Sequence, residues 1–126
     1  MADTVNIKDF QKLDIRIGTV TKAEVPEWSH WVIKLTVDLG EEIGERTIFA
    51  GVLGFYEAKD LEGRQMPFVV NLEPKKIGPK GDYSQGMMMA ASEKLKEPVV
   101  VNDEETLEKP VLFSLTEKVP NGTKIR

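Results

Sequence analysis

The sequence predicts an all-β fold, a five-stranded OB-type Greek-key barrel with one short helix and a C-terminal extension. Three observations predict it. Ile33, Leu35, Val37 and Leu39 alternate with Lys34, Thr36 and Asp38, the two-residue period of a half-buried strand. In the segment before it, Ile15 and Ile17 share one parity and Val20 takes the other, with Gly18 at the slip. A bulge at that glycine would let the strand coil around a small barrel. The third observation is order: three strand-like runs, a short helical segment, then two more strands. A helix between the third and fourth strands separates this order from a β-sandwich.

Residues 1–5 read as a loose tail. Asn6 is placed to cap a short helix that carries Ile7 and Phe10 on one face. Residues 14–25 form the first strand, 26–31 a loop, and 32–39 the second strand. The run Gly40-Glu41-Glu42-Ile43-Gly44-Glu45 is a turn, and residues 46–53 are the third strand. Residues 55–61 form the helix, which Gly63 ends. Residues 65–72 and 86–91 are the fourth and fifth strands. The chain is one domain, with residues 1–91 as barrel and 92–126 as extension. Within the extension lie Val99-Val100-Val101 and Val111-Leu112-Phe113, short apolar runs that need a partner surface.

Composition narrows the function. A chain of 126 residues with 40% apolar and 30% charged residues suits one soluble globular domain. No stretch approaches the about 20 apolar residues of a membrane span, and the start lacks the basic and apolar regions of a secretory signal. With no cysteine, there is no disulfide and no thiolate metal site. His30 is the one histidine, so no metal and no cofactor are expected, and the cytoplasm is the expected compartment. No catalytic set can be assembled. Gly81-Asp82-Tyr83-Ser84-Gln85-Gly86 lacks the spacing of a nucleophile elbow, and no glycine-rich loop ends in a Walker lysine. The expectation is a binding protein and not an enzyme. Net charge is −4, which opposes general coating of nucleic acid, but the charge is uneven.

The most informative stretch is Asn71-Leu72-Glu73-Pro74-Lys75-Lys76-Ile77-Gly78, followed by Ser84-Gln85-Gly86-Met87. Between two strands it gathers Lys75, Lys76 and Lys80 against only Glu73 and Asp82. Ammonium groups with bare glycine amides and a hydroxyl suit a phosphate backbone. Pro74 stiffens this loop. Asn71 is placed to fix the loop's start. Ser84 and Gln85 can reach a ribose or a base edge. Arg16 alternates with Ile15 and Ile17, so it points away from the core and towards the binding face. Trp28 and Trp31, beside His30, can stack on unpaired bases, with one ring buried and one exposed. In an OB-fold the loops after strands one and four border the ligand groove. They hold the tryptophans and the lysines here.

The Asn-Leu-x-Pro-basic-basic run and the Ser-x-x-Met at Ser84 to Met87 resemble the signature of the tRNA-binding domain family. The resemblance extends to residues 10–20, residues 48–56 and the closing Val119-Pro120-Asn121-Gly122-Thr123-Lys124-Ile125. That family includes free-standing tRNA-binding proteins, C-terminal or β-subunit domains of methionyl-tRNA synthetase, and CsaA-type proteins. The resemblance implies a structure-specific tRNA-binding protein with little sequence preference. It also implies contacts from Arg16, Asn71, Lys75, Lys76, Lys80, Ser84, Gln85 and Met87, a homodimer built by the extension, and a synthetase as a further partner. Two positions depart from the pattern: Trp31 and Glu73 stand where basic residues are common. Pro26-Glu27, residues 33–35 and residues 38–40 look more like the CsaA-type branch, so a peptide-binding secretion chaperone is the alternative.

Overall fold

The structure is a computed structural model that describes residues 2–126. As expected, the Asn6 Oδ1 accepts the Asp9 N–H at 3.0 Å and starts α1 (Ile7–Phe10). There follow β1 (Ile15–Glu24), β2 (Ile33–Asp38), α2 (Gly40–Ile43), β3 (Glu45–Ala50) and α3 (Ala58–Leu61). Then come β4 (Gln65–Val69), β5 (Lys75–Ile77), β6 (Asp82–Ser84), β7 (Met87–Met88), β8 (Ala90–Val101) and β9 (Glu104–Leu112). The turn expected at 40–45 is the single helical turn α2. The expected helix shortens to α3, where the Glu57 N–H donates to Asp60 Oδ2 at 2.8 Å.

The five strands of the main sheet lie in the order β3-β2-β1-β4-β7, every neighbour antiparallel. This is the expected OB-type barrel, nearly closed. β1 changes partner along its length: residues 15–19 pair with β4 and residues 19–24 with β2. The bulge lies between Val20 and Lys22 and not at Gly18. Gly18 has a different task. A Cβ there would stand 2.7 Å from Leu39 Cδ2 and Val37 Cγ1, so glycine lets the two layers touch. Val20, Ile33, Leu35, Val37, Leu39, Ile48, Met66 and Phe68 fill the barrel, and Leu61 of α3 packs into the same core, fully buried. Burial of each such side chain contributes about 1.5–3 kcal/mol.

The fifth strand is shorter than expected. Only Met87 and Met88 pair with β4, opposite Val69 and Phe68. From Ala90 the chain leaves the barrel, because β9 offers it a longer ladder, Ala90 opposite Leu112 through Val101 opposite Glu104. Asn102 and Asp103 close this ribbon with φ of 50° and 65°, left-handed values that these residue types tolerate in a two-residue hairpin turn. The ribbon leans on its own barrel. The Asn102 side-chain amide donates to the His30 carbonyl and, at 3.2 Å, to the Leu53 carbonyl. The Tyr56 hydroxyl donates to the Pro110 carbonyl at 3.1 Å.

Residues 92–126 therefore have two destinations. After the ribbon, the closing segment returns and lies along β1. The Ile17 N–H donates to Thr123 O at 2.8 Å, and the Ile125 N–H donates to Ile15 O at 2.9 Å. Gln65 grips Val119 at both ends: its Nε2 donates to Val119 O at 2.7 Å, and its Oε1 accepts the Val119 N–H at 3.1 Å.

That segment corrects the reading of Arg16. The alternation of β1 does turn Arg16 away from the core, but residues 119–125 cover that face, leaving Arg16 5% exposed. Its Nε donates to Asp14 Oδ1 at 2.8 Å, its Nη2 to Glu42 Oε1 at 2.9 Å, and its Nη1 to Gly122 O at 3.3 Å. One side chain thus ties β1, α2 and the closing segment together, and it is not free to meet a phosphate. Its hydrogen bonds hold the Asp14 and Glu42 carboxyls below their ordinary values of 3.8 and 4.5. Depressed folded-state values mean that the stabilisation is present above those ordinary values and fades as pH falls below them. Urea unfolding at neutral pH should show Arg16→Met less stable by about 1–3 kcal/mol, and the variant should lose part of the stability drop that the parent shows under acid.

Candidate functional site

The lysine segment is a hairpin and not an irregular loop. Lys75, Lys76 and Ile77 pair with Ser84, Tyr83 and Asp82. Its tip is Gly78-Pro79-Lys80-Gly81, and Gly78 has φ of 76°. Lys75, Lys76 and Lys80 are exposed, and none forms an ion pair among the described residues. Asp82 faces Lys34 of β2 instead, Nζ to Oδ2 at 3.9 Å. Three ammonium groups therefore stand in water on one projection. Lys34 thus stands beside the hairpin, a position the sequence reading left unused. Its signal was the outward parity of β2.

The polar residues of the motif have another role. Ser84 is buried; its Oγ accepts the Phe49 N–H at 3.0 Å and donates to Gly86 O at 3.0 Å. Gln85 Oε1 accepts the Thr47 N–H at 2.9 Å, while the Gln85 N–H donates to Thr47 O at 2.8 Å. Arg46 Nη1 adds bonds to Val70 O at 2.5 Å and Gln85 O at 3.2 Å. These bonds join β3 to the chain between β6 and β7. The buried Ser84 hydroxyl is spent on these bonds, while Gln85 bonds Thr47 and stays exposed. Asn71 fixes the start of the loop, as expected. Its Oδ1 accepts the Asp14 N–H at 2.8 Å, and its Nδ2 donates to Lys12 O at 2.7 Å. Met87 stands at the rim, 48% exposed, beside buried Met88.

The two tryptophans differ in exposure, though neither ring is fully buried. Trp31 is 53% exposed, and Trp28 is half-buried. Their rings meet edge-on, centroids 6.0 Å apart at 62°, and Trp28 lies 6.2 Å from Phe49 of β3. Beside the hairpin is a cleft of about 330 Å³ lined by Glu24, Trp28, Lys34, Lys80 and Asp82 among others. A groove of about 530 Å³ runs between barrel and ribbon, with Phe49, Phe55, Met87 and Met88 in its walls. Among the described residues no cluster of His, Cys, Asp and Glu is arranged to hold a metal, and no helix is long and apolar enough to cross a membrane.

A family model, "Putative tRNA binding domain", matches residues 15–124. Methionine–tRNA ligase 1 of Bacillus anthracis is 34% identical over 125 residues, 99% of this chain and 16% of the ligase. A methionine–tRNA ligase of Archaeoglobus fulgidus is 42% identical over 106 residues, 84% of this chain and 15% of the ligase. The chain thus spans only a small part of these relatives. Among solved structures, a MetRS-related protein from Pyrococcus horikoshii has a TM-score of 0.80 and 33% identity, covering 99% of this chain and 100% of that one. The chaperone CsaA of Bacillus anthracis has a TM-score of 0.77 and 34% identity, covering 98% and 100%.

Ser84→Ala should act on stability, since it leaves the buried Phe49 N–H without an acceptor. The expected cost is about 1–3 kcal/mol, read as a lower urea midpoint. An unchanged midpoint would return Ser84 to the ligand surface.

Proposed function

The chain belongs to the tRNA-binding domain family, and from that premise we propose that it is a non-catalytic module that binds the folded shape of tRNA. The observation that carries this reading is the hairpin: Lys75, Lys76 and Lys80, exposed and unpaired among the described residues. Phosphates are the ligand that such a projection fits, and contacts to phosphate position a protein without reading sequence. Trp31 offers an exposed ring for one splayed base, with Met87 at the rim. Asn71, Ser84 and Gln85 hold the hairpin in place, and Arg16 holds the barrel. The net charge of −4 confines nucleic acid to this one face. We further propose a cytoplasmic homodimer built through the ribbon, whose Val100, Leu107 and Val111 are exposed. The ligases in which such a domain is a small part suggest a methionyl-tRNA synthetase as the enzyme it serves.

One observation favours a second reading. The groove walled by Phe49, Phe55, Met87 and Met88 is apolar and adaptable enough for an unfolded peptide, and the likeness to a CsaA chaperone points the same way. Folded tRNA and a denatured polypeptide offered together to one sample separate the two. Displacement of tRNA binding only by tRNA supports the first, and tight polypeptide binding that tRNA cannot displace supports the second.

Lys75→Ala combined with Lys76→Ala should leave the fold intact and weaken tRNA binding. The log–log salt slope should fall by about 1 per lost contact. Filter binding across salt concentrations reads this, and an unchanged slope would remove the hairpin from the RNA.

Sedimentation should show a dimer at about 50 µM, well above the dissociation constant of a modest interface. A monomer at that concentration would exclude the ribbon as a homodimer surface.

A further inference from the structure

The hairpin that carries the lysines is anchored firmly only at its base. There β6 runs into Ser84 and Gln85, which are bonded to β3. Above it, Lys76, Tyr83 and, at the tip, Lys80 are exposed. Two contacts hold the tip near the barrel. One is the Lys34–Asp82 pair at 3.9 Å, between partly exposed groups, a weak tether in water. The other is apolar. The six-membered ring of Trp28 lies against the backbone of Gly78. A Cβ on Gly78 would stand 2.4 Å from Trp28 Cη2 and Cζ2. Only glycine fits there, and its φ of 76° independently favours glycine.

Trp28 is itself braced. Phe49 of β3, almost wholly buried, packs behind it, and Trp31 meets it edge-on. The ring therefore has one neighbour in the barrel wall and one in the hairpin tip, two residues from Lys80. A base stacked on Trp28 from the hairpin side would have to displace Gly78. Trp31 is 53% exposed.

We propose that Trp28 is a positioning residue and not a stacking platform. With Gly78 it forms a latch that fixes the height of the hairpin and so the placement of Lys80 and its companions over the barrel. The inference rests on the reading of the hairpin lysines as phosphate contacts. Three ammonium groups on a loose hairpin must be ordered when RNA binds; held by the latch, they are ordered beforehand, and affinity gains by the cost avoided. The latch thus makes an aromatic residue determine an electrostatic quantity. Trp31 acts by stacking, which does not depend on salt in that way.

The test uses Trp28→Ala, Trp28→Phe, Gly78→Ala and Trp31→Ala with two readouts. The first needs no RNA: tryptic cleavage of the Lys80–Gly81 bond in the native protein, followed by mass spectrometry. Trp28→Ala and Gly78→Ala should speed it by about fivefold or more through local opening, and Trp28→Phe, which lacks the outer ring that meets Gly78, should speed it too. Gly78 lies at an exposed tip, so that variant keeps its core even if Trp28→Ala does not. The second readout is the salt dependence of binding to bulk tRNA. Trp28→Ala should lose about tenfold in affinity and about 1 in slope, as though a lysine had gone. Trp28→Phe keeps an aromatic ring but not the atoms that meet Gly78, so it should lose slope as Trp28→Ala does. Trp31→Ala should lose affinity with its slope unchanged. Unaltered cleavage at Lys80 in Trp28→Ala and Gly78→Ala would overturn the latch. Faster cleavage with an unchanged salt slope would overturn its role in binding. A parent protein that binds no tRNA would sink the proposed function, while the cleavage rates would still decide whether the latch exists.

Discussion

A sheet rolled into a barrel has two edges that must meet, and here side chains make the seam. The outer edge of β3 has no full strand to receive it, because β7 is only two residues long. Ser84 and Gln85 take the place of a strand. The Ser84 hydroxyl accepts from Phe49, the Gln85 amide oxygen and backbone N–H serve Thr47, and Arg46 reaches across to Val70 and Gln85. Each such bond contributes about 1 kcal/mol net, but a buried donor left without its acceptor would lose more. The barrel is complete only when this short stretch is in register.

The hairpin inherits its place from that seam. Ser84 is both the last residue of β6 and the first stitch, so the lysines rise from the point where the barrel closes. Arg16 plays a matching part, drawing Asp14, Glu42 and Gly122 together. In both places a polar group with apparent reach towards a ligand is used up by architecture. What stays exposed beside the seam is simpler: three ammonium groups, an indole and a methionine at the rim.

Most of the barrel was legible because its signals are local. The alternation of β2, the cap at Asn6 and the helix before β4 each follow from residues near in sequence. The misreadings were all contacts between distant segments. Nothing near Arg16 announces that residues 119–125 will lie over it. Gly18 announced a slip in parity, but the extra residue fell between Val20 and Lys22, where β1 has already passed from β4 to β2. The fifth strand was drawn too long because a competing ladder with β9 cannot be seen from residues 86–91 alone. One signal was present and unused: Asn102-Asp103 between Val101 and Glu104 is a pair suited to a left-handed two-residue turn. The lysines and tryptophans were found because their chemistry is written in residue type. The tasks of Ser84, Gln85 and Trp28 were not, because they depend on which backbone or ring stands opposite.

The ribbon of β8 and β9 carries a further consequence. A long two-stranded ribbon presents two unsatisfied backbone edges, the shape that templates fibrous growth. This one is poorly suited to that. Pro98 and Pro110, one on each strand, have no N–H to offer an incoming chain. The register shift between Lys94 and Val99 breaks the regular repeat of one edge. Lys94, Lys96, Glu97, Glu104, Glu105, Glu108 and Lys109 distribute charge of both signs along the strands. Neighbours therefore gain little by lining up side by side, and the apolar residues of the ribbon can be covered only by something laid across its face. Such packing ends when the face is filled. The geometry favours complexes of finite size over polymers.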